Sequence, residues 1–373
     1  MENTKIKILI LEPVSDLGGV SNYILTLLSG VDQNKFKIFV GASGGGYLFK
    51  KLRELNIATP VSLPIDYNFF SFIKSVKELK DFCKKESVDI IFTNTLKAGF
   101  ISAVANILLR KKMIYLAHGW RFSQKVSFPK KIFVYLIDFF VCKMADWIIV
   151  LSDYEKKFGE KYIFIKNKNI TIAPIYVDTP NIKKRLNNGL NKIVGNVARA
   201  TYQKNPLEFI EIAKEICSVN KSIIFVWIGG GDLLEEMKKK QKEYGLENNL
   251  ILKGEMDYSL VLNEISNFNC LLFTSLFEGL PRSLIETMSI GVPIVSSNIN
   301  GVYDLIKSGE TGFLYKSGDT KEAAKLVLNC LNMTESQKDS MIKAQKELIA
   351  QNYSPASKLG YIYENIWNKI IQK

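Results

Sequence analysis

The stretch SLFEGLPRSLIETMSIGVP, residues 275–293, holds two carboxylates, Glu278 and Glu286, on either side of a Leu280-Pro281 step. The apolar run CLLFTS before it reads as a buried strand, so Glu278 falls in the turn just past that strand's carboxyl end. Pro281 suits the first position of a helix and Gly291 suits its end. A helix starting near Leu280 to Ser283 presents free backbone N–H groups and a positive dipole end, which together favour a phosphate. Carboxylates do not bind phosphate themselves. Flanking such a site, they suit the hydroxyl-rich groups to either side of it, a sugar and a ribose. That combination is a nucleotide-sugar.

Three further stretches offer matching chemistry. In NVARATYQKNPLEF, Arg199 ends a strand and Lys204 follows five residues later, just before a helix. Paired cations at a strand's carboxyl end suit a diphosphate leaving group, whose charge grows as the glycosidic bond breaks. In EPVSDLGGVSNYILTLL, Gly18 and Gly19 lie between the first strand and first helix, where glycine lets backbone approach a ligand. In YLAHGWRF, His118 is the single histidine of the chain and sits at a strand end before a glycine.

The spacing Glu, seven residues, Glu, then Met-x-x-Gly-x-Pro resembles the signature of retaining glycosyltransferases of family 4, which have the two-domain GT-B architecture. The likeness covers nearly the whole chain. It implies that Glu278 contacts the transferred sugar and that Glu286 holds the ribose hydroxyls. Arg199 and Lys204 would hold the diphosphate, and Gly18-Gly19 would face the donor phosphates and the acceptor. His118 would contact the donor sugar near the reacting centre. Gly229 and Gly231, in WIGGGD, would border the nucleotide, as would the backbone at Gly279, Leu280 and Pro281. Met256, within KGEMD, would pass beside the base. Trp120 and Arg121 are assigned to the acceptor. The family also implies a front-face transfer, in which the leaving phosphate helps to deprotonate the acceptor.

Some positions depart from the family pattern. Ala198 stands where a glycine commonly precedes the arginine, and Asn300 replaces a usual glycine in SNINGVYDLI. Ile175-Tyr176 stand where the family often has Asn-Gly at the crossover between domains. No Asp-x-Asp pair occurs in the chain, nor any His/Cys/carboxylate cluster with metal-ligand spacing. Neither metal nor cofactor is therefore expected, and side chains and helix dipoles would neutralise the leaving group.

The elements that must position these residues alternate strand and helix. KIKILIL, FKIFVGA, VDIIFTN, KMIYLAH and WIIVLS are short apolar strands, with helical spacing in Phe70–Lys85 and Lys97–Leu109 between them. Continuous apolar strands separated by helices predict a parallel sheet covered on both faces. The rhythm restarts with KIVGNVA and continues through SIIFVWIG, LILKG, CLLFTS and PIVSS. The fold class is α/β, with two tandem Rossmann-like domains facing across a cleft and a C-terminal helix crossing back to the first domain. The expected boundaries are 1–177 for an acceptor-side domain, 178–191 for a linker, 192–353 for a nucleotide-sugar domain and 354–373 for the C-terminal helix.

At 373 residues and 47% hydrophobic composition, the chain suits two soluble domains. Five scattered cysteines without a C-x-x-C pair read as reduced core residues. No signal peptide is expected, and residues 132–151 read as a core helix followed by a buried strand, so the protein is placed in the cytoplasm. The net charge of +13 is uneven: residues 1–175 carry 26 Lys and Arg against 15 Asp and Glu. A basic first domain suits an anionic membrane surface and a glycan or polyprenol-linked acceptor. Contacts are expected at LLRKK, residues 108–112, and at residues 121–133, giving a peripheral enzyme of surface-polysaccharide assembly. The donor is expected to be a nucleotide diphosphate-sugar, linked to UDP. Alternatives are a nucleotide-sugar epimerase on the same fold or a non-catalytic partner subunit. No nucleic-acid module is recognisable.

Overall fold

A computed structural model describes residues 5–14, 19–66, 69–120, 128–166, 168–178 and 191–372. The chain forms two compact units, one built from the chain up to Tyr176 together with the chain from Pro355 onward, the other from Val177–Ser354. The expected linker falls almost entirely outside the described residues.

The first unit alternates as β1 (Ile6–Val14), α1 (Gly19–Ser29), β2 (Phe36–Ser43), α2 (Tyr47–Leu55), β3 (Thr59–Ser62), α3 (Phe69–Lys85), β4 (Ile90–Thr93), α4 (Leu96–Leu109), β5 (Lys112–Ala117), α5 (Phe128–Met144), β6 (Trp147–Val150), α6 (Asp153–Tyr162) and β7 (Asn169–Ile172). Its seven strands lie in the order β3-β2-β1-β4-β5-β6-β7, all parallel. The order reverses between β1 and β4, where Leu11 pairs with Thr93. Ligands of such sheets bind past the carboxyl ends of the strands at that reversal.

The second unit repeats the plan with β8 (Ile193–Val197), α7 (Pro206–Val219), β9 (Ile224–Ile228), α8 (Leu234–Glu243), β10 (Leu250–Leu252), α9 (Tyr258–Asn267), β11 (Cys270–Phe273), α10 (Arg282–Ile290), β12 (Ile294–Ser297), β13 (Phe313–Tyr315), α11 (Thr320–Leu331) and α12 (Glu335–Asn352). Its parallel order is β10-β9-β8-β11-β12-β13, and the reversal lies between β8 and β11. Val194, Phe209, Phe225, Trp227, Cys270, Leu272 and Val295 form a core on this sheet. All five cysteines are free and buried.

Helix α13 (Ser357–Gln372) follows the second unit in sequence yet belongs to the first. It lies against α1, where two glycines remove the side chains that would hold the backbones apart. A Cβ on Gly360 would come within 2.3 Å of the Gly30 carbonyl carbon, and one on Gly30 within 2.9 Å of the Ser357 carbonyl oxygen. Tyr363 and Trp367 on its buried side meet Tyr23, Phe92 and Phe36 edge-on or tilted. Such aromatic pairs add about 0.5–1.5 kcal/mol each beyond their buried area.

Two local readings need correction. Helix α5 is not a core helix on all sides: Ile132, Phe133, Leu136 and Phe139 are exposed, while Asp138 is buried and accepts from the Tyr115 hydroxyl at 3.2 Å. Its inner face meets the sheet and nothing described covers the outer one. Pro281 is the N-cap of α10 rather than its first helical residue, with φ −77° and ψ 110°. Gly291 does end that helix in the left-handed region, at φ 87°.

Candidate active site

At the reversal point of the second sheet, the turns after β8 and β11 are joined together. Leu276 N–H donates to the Gln203 carbonyl at 2.8 Å, Thr274 Oγ1 to the Lys204 carbonyl at 2.9 Å, and Gln203 Nε2 to the Phe277 carbonyl at 3.0 Å. Lys204 ends a short 3-10 turn, Tyr202–Lys204, which Asn205 closes in the left-handed region at φ 51° before Pro206 opens α7. These turns bring the ammonium of Lys204 directly onto the Glu278 carboxylate. Ser275 Oγ donates to the same carboxylate oxygen at 2.8 Å, and Gln203 Nε2 to the other at 3.3 Å. The two charged side chains are only 19% and 9% exposed. A cation–carboxylate pair this secluded is fixed by its neighbours rather than by solvent.

Arg199 lies two residues past β8, exposed, with no hydrogen-bond or ion-pair partner for its side chain among the described residues. Its turn is held by the glycines of the next strand end. Gly229 and Gly231 take φ +135° and +142°, and a Cβ on them would lie 2.1 and 2.5 Å from the carbonyl oxygens of Ala198 and Ala200. Only glycine allows this approach. Gly229 N–H also donates to the Gly254 carbonyl at 2.8 Å, which ties in the KGEMD segment carrying the half-buried Met256.

Leu280 and Pro281 are buried, so what they offer a ligand is backbone. Pro281 makes no side-chain cap, leaving the first N–H groups of α10 to other acceptors. One turn further on, Glu286 Oε1 accepts from Tyr258 Oη at 2.6 Å and from Arg282 Nε at 2.6 Å. Gly301, next to Asn300 in SNINGVYDLI, was not singled out in the sequence. Its φ is +74°, and a Cβ there would lie 2.5 Å from the carbonyl oxygens of both Glu278 and Gly279, so it shapes the acidic turn from behind.

In the first unit, His118 follows β5 and its Nε2 lies 2.8 Å from Asn94 Oδ1. Asn94 Nδ2 donates to Glu12 Oε2 at 3.4 Å, so its Oδ1 faces the histidine as an acceptor and Nε2 carries the hydrogen. Glu12 thus lies in the last part of β1, and Asn94 and His118 stand one residue past the ends of the adjacent strands β4 and β5. The Tyr23 ring meets the imidazole edge-on, with centroids 5.4 Å apart. Burial lowers the His118 pKa from 6.5 to about 4, so the ring is neutral at physiological pH. Glu12, Asn94 and Tyr23 were not singled out in the sequence. For Glu12 and Asn94 the signal was a polar residue at the end of an otherwise apolar run; Tyr23, on α1, gave none.

Trp120 is not an acceptor contact. It is 2% exposed, donates Nε1–H to the Glu155 carbonyl at 2.8 Å and packs on Gly159, where a Cβ would lie 2.5 Å from its ring. Gly19 opens α1 with nothing within 4 Å of a Cβ built on it, so packing does not demand glycine there. Gly18 and Arg121 lie outside the described residues. Among the described residues, no group of three or more His, Cys, Asp or Glu could hold a metal ion.

Residues 17–180 match the sequence profile of Glycosyltransferase Family 4, and residues 178–347 that of Glycosyl transferases group 1. The chain is 28% identical over 336 residues to UDP-Gal:alpha-D-GlcNAc-diphosphoundecaprenol alpha-1,3-galactosyltransferase of Escherichia coli, covering 85% of this chain and 86% of the relative. It is 25% identical over 346 residues to the Escherichia coli O-antigen biosynthesis glycosyltransferase WbnH, covering 92% and 96%. Anabaena HepE, solved in complex with UDP and glucose, shares the fold with a TM-score of 0.80 at 17% identity, over 97% of this chain and 99% of that one. With two glycosyltransferase profiles meeting end to end over two parallel α/β sheets of the GT-B kind, the chain belongs to family 4 of the glycosyltransferases.

Proposed function

We propose that the chain is a retaining, metal-independent glycosyltransferase that moves a hexosyl or N-acetylhexosaminyl group from a UDP-sugar to a polyprenyl-diphosphate-linked acceptor in cell-surface polysaccharide assembly. The observation that carries this reading is the joined pair of turns after β8 and β11. They place Arg199, Lys204, Glu278 and the α10 N-terminus at one end of one sheet. The relatives' names, with a UDP-galactose donor, a diphosphoundecaprenol acceptor and O-antigen assembly, support the donor, acceptor and pathway.

In this mechanism Glu286 binds the ribose and the α10 N-terminus accepts the diphosphate. Lys204 and Arg199 stabilise the phosphate oxygen as the bond from the sugar's C1 breaks. That oxygen takes the proton of the acceptor hydroxyl, whose oxygen bonds to C1 on the face the phosphate leaves. Glu278 holds the sugar ring, and neutral His118, its Nε2–H given to Asn94, accepts a hydrogen bond from a sugar hydroxyl at Nδ1 rather than supplying a charge.

The acceptor's lipid calls for a membrane surface, and the first unit offers one face suited to it. Phe133 is 64% exposed and Leu136 56% on α5, beside Lys131; Phe70 and Ile73 are exposed on α3, which like α5 packs on α4, beside Lys74 and Lys77. Exposed apolar side chains interleaved with lysines suit an anionic lipid interface. Among the described residues no helix is long and apolar enough to cross a membrane. Peripheral attachment at the cytoplasmic face follows from this reading.

The test is to incubate the purified chain with UDP-galactose, UDP-N-acetylgalactosamine or UDP-glucose and a polyprenyl-diphosphate N-acetylhexosamine, with and without EDTA. A lengthened lipid-linked product with the donor's anomeric configuration, formed equally in EDTA, supports the reading. An inverted anomer or EDTA-sensitive turnover overturns the corresponding clause. An epimerised sugar with free UDP and no product identifies the epimerase instead.

A further inference from the structure

Glu286 is held from one side only. Tyr258 Oη and Arg282 Nε, each at 2.6 Å, both donate to Oε1, and Arg282 Nη2 also reaches Tyr258 Oη at 3.2 Å. The guanidinium lies over the Tyr258 ring, 5.5 Å from its centroid, so the two donors fix one another. Oε2 has no hydrogen-bond partner among the described residues, and it is not sealed from solvent. The carboxylate is 8% exposed, and burying a charge this far with half of it unsatisfied is costly unless something pairs with that half.

Tyr258 comes from a different element than the acid it holds. It opens α9, directly after the KGEMD segment, whereas Arg282 and Glu286 lie one turn apart on α10. The orientation of Glu286 therefore depends on a contact between two helices, not on α10 alone. Burial and the nearby Glu286 charge keep the Tyr258 phenol protonated, and so a donor, throughout the physiological range.

We propose that Tyr258, braced by Arg282, is a positioning residue: its hydroxyl clamps Oε1 of Glu286 so that Oε2 is presented to the donor's ribose hydroxyls. This rests on the assignment of Glu286 to the ribose. The clamp makes the preference for ribose over deoxyribose depend on a side chain that touches neither. Without the Tyr258 hydroxyl, Oε1 keeps Arg282 but loses the partner that ties it to α9, and the carboxylate is held by one donor instead of two.

The experiment compares binding of UDP and 2′-deoxy-UDP to the full chain carrying Tyr258→Phe or Glu286→Gln by calorimetry, alongside donor kinetics. Tyr258→Phe is expected to weaken UDP binding about tenfold while weakening 2′-deoxy-UDP far less. The preference between the two nucleotides then collapses, and the kinetic loss falls on donor KM rather than kcat. Both nucleotides are measured on one sample, so partial unfolding of a variant leaves the ratio unchanged. A wild-type preference in Tyr258→Phe together with a lost preference in Glu286→Gln overturns the positioning role alone. A wild-type preference in both variants overturns the ribose assignment and the clamp with it.

Discussion

Lys204 and Glu278 neutralise each other directly, through the same carboxylate oxygen that receives the Ser275 hydroxyl at 2.8 Å. The cation assigned to the diphosphate and the acid assigned to the sugar are thus one electrostatic unit. Removing either partner strands a nearly buried charge, so each single alanine variant should lose about 2–4 kcal/mol of stability. The double variant should recover about 1–3 kcal/mol relative to their sum. Urea unfolding of the four proteins in the cycle measures this. Additivity within about 0.5 kcal/mol would show that the pair is not coupled.

Donor kinetics should separate the two acids. Glu286→Ala is expected to raise the donor KM, because a ribose contact is made equally in the ground and transition states. Glu278→Ala should chiefly lower kcat, by about a hundredfold if a charge-assisted contact of 1.5–3 kcal/mol forms at the reacting sugar. Near-normal constants in both variants would remove these residues from the site.

The neutrality of His118 has a pH signature. Its pKa is about 4 in the folded chain against 6.5 for an unperturbed histidine, so between those values the unfolded chain binds more protons. Stability should therefore rise with pH from about 4 to 6.5 and be lost as pH falls through that window. A His118→Gln variant should lack this component of the profile. Identical melting profiles for the two proteins from pH 4 to 7 would contradict a buried neutral imidazole.

Gly301 should matter to catalysis without meeting substrate. Alanine there must adopt φ +74° and place its Cβ 2.5 Å from two carbonyl oxygens of the Glu278 turn. Left-handed strain alone costs about 1–2 kcal/mol, and the close contact displaces the acid. Gly301→Ala should lower kcat at least as much as it lowers Tm. A variant that melts early but turns over normally when folded would confine Gly301 to a structural role.

For the lipid surface, flotation with anionic vesicles is the measurement. Phe133→Glu with Leu136→Glu should reduce the bound fraction strongly, since each buried apolar side chain contributes about 1.5–3 kcal/mol. The same pair should leave transfer to a short, water-soluble acceptor intact. Unchanged flotation would move the contact elsewhere.

Much of this architecture could be read from residue patterns, because buried parallel strands are continuous apolar runs, and the candidate residues His118, Arg199 and Glu278 follow the ends of three of them. Helix α4 was expected over Lys97–Leu109 and spans Leu96–Leu109. Helix α2 and strands β3, β7 and β13 were not anticipated: they are short or edge elements whose periodicity is weak. Trp120 was misread because an aromatic beside a strand-end histidine looks the same in sequence whether it turns outward or into the core. The Tyr258–Glu286 and Asn94–His118 contacts join residues 28 and 24 positions apart, and no local spacing encodes them.

The glycine contact between α1 and α13 sets an order of events during synthesis. The sheet of the first unit can form early, but its α1 face stays open until residues after 354 leave the ribosome. The intervening unit, Val177–Ser354, is complete before then. At roughly 5–20 residues per second, the first unit waits about 10–35 s with Tyr23, Phe36 and Phe92 uncovered. The domain begun first is therefore finished last, and a chain cut before α13 should fail in its first half while its second half folds.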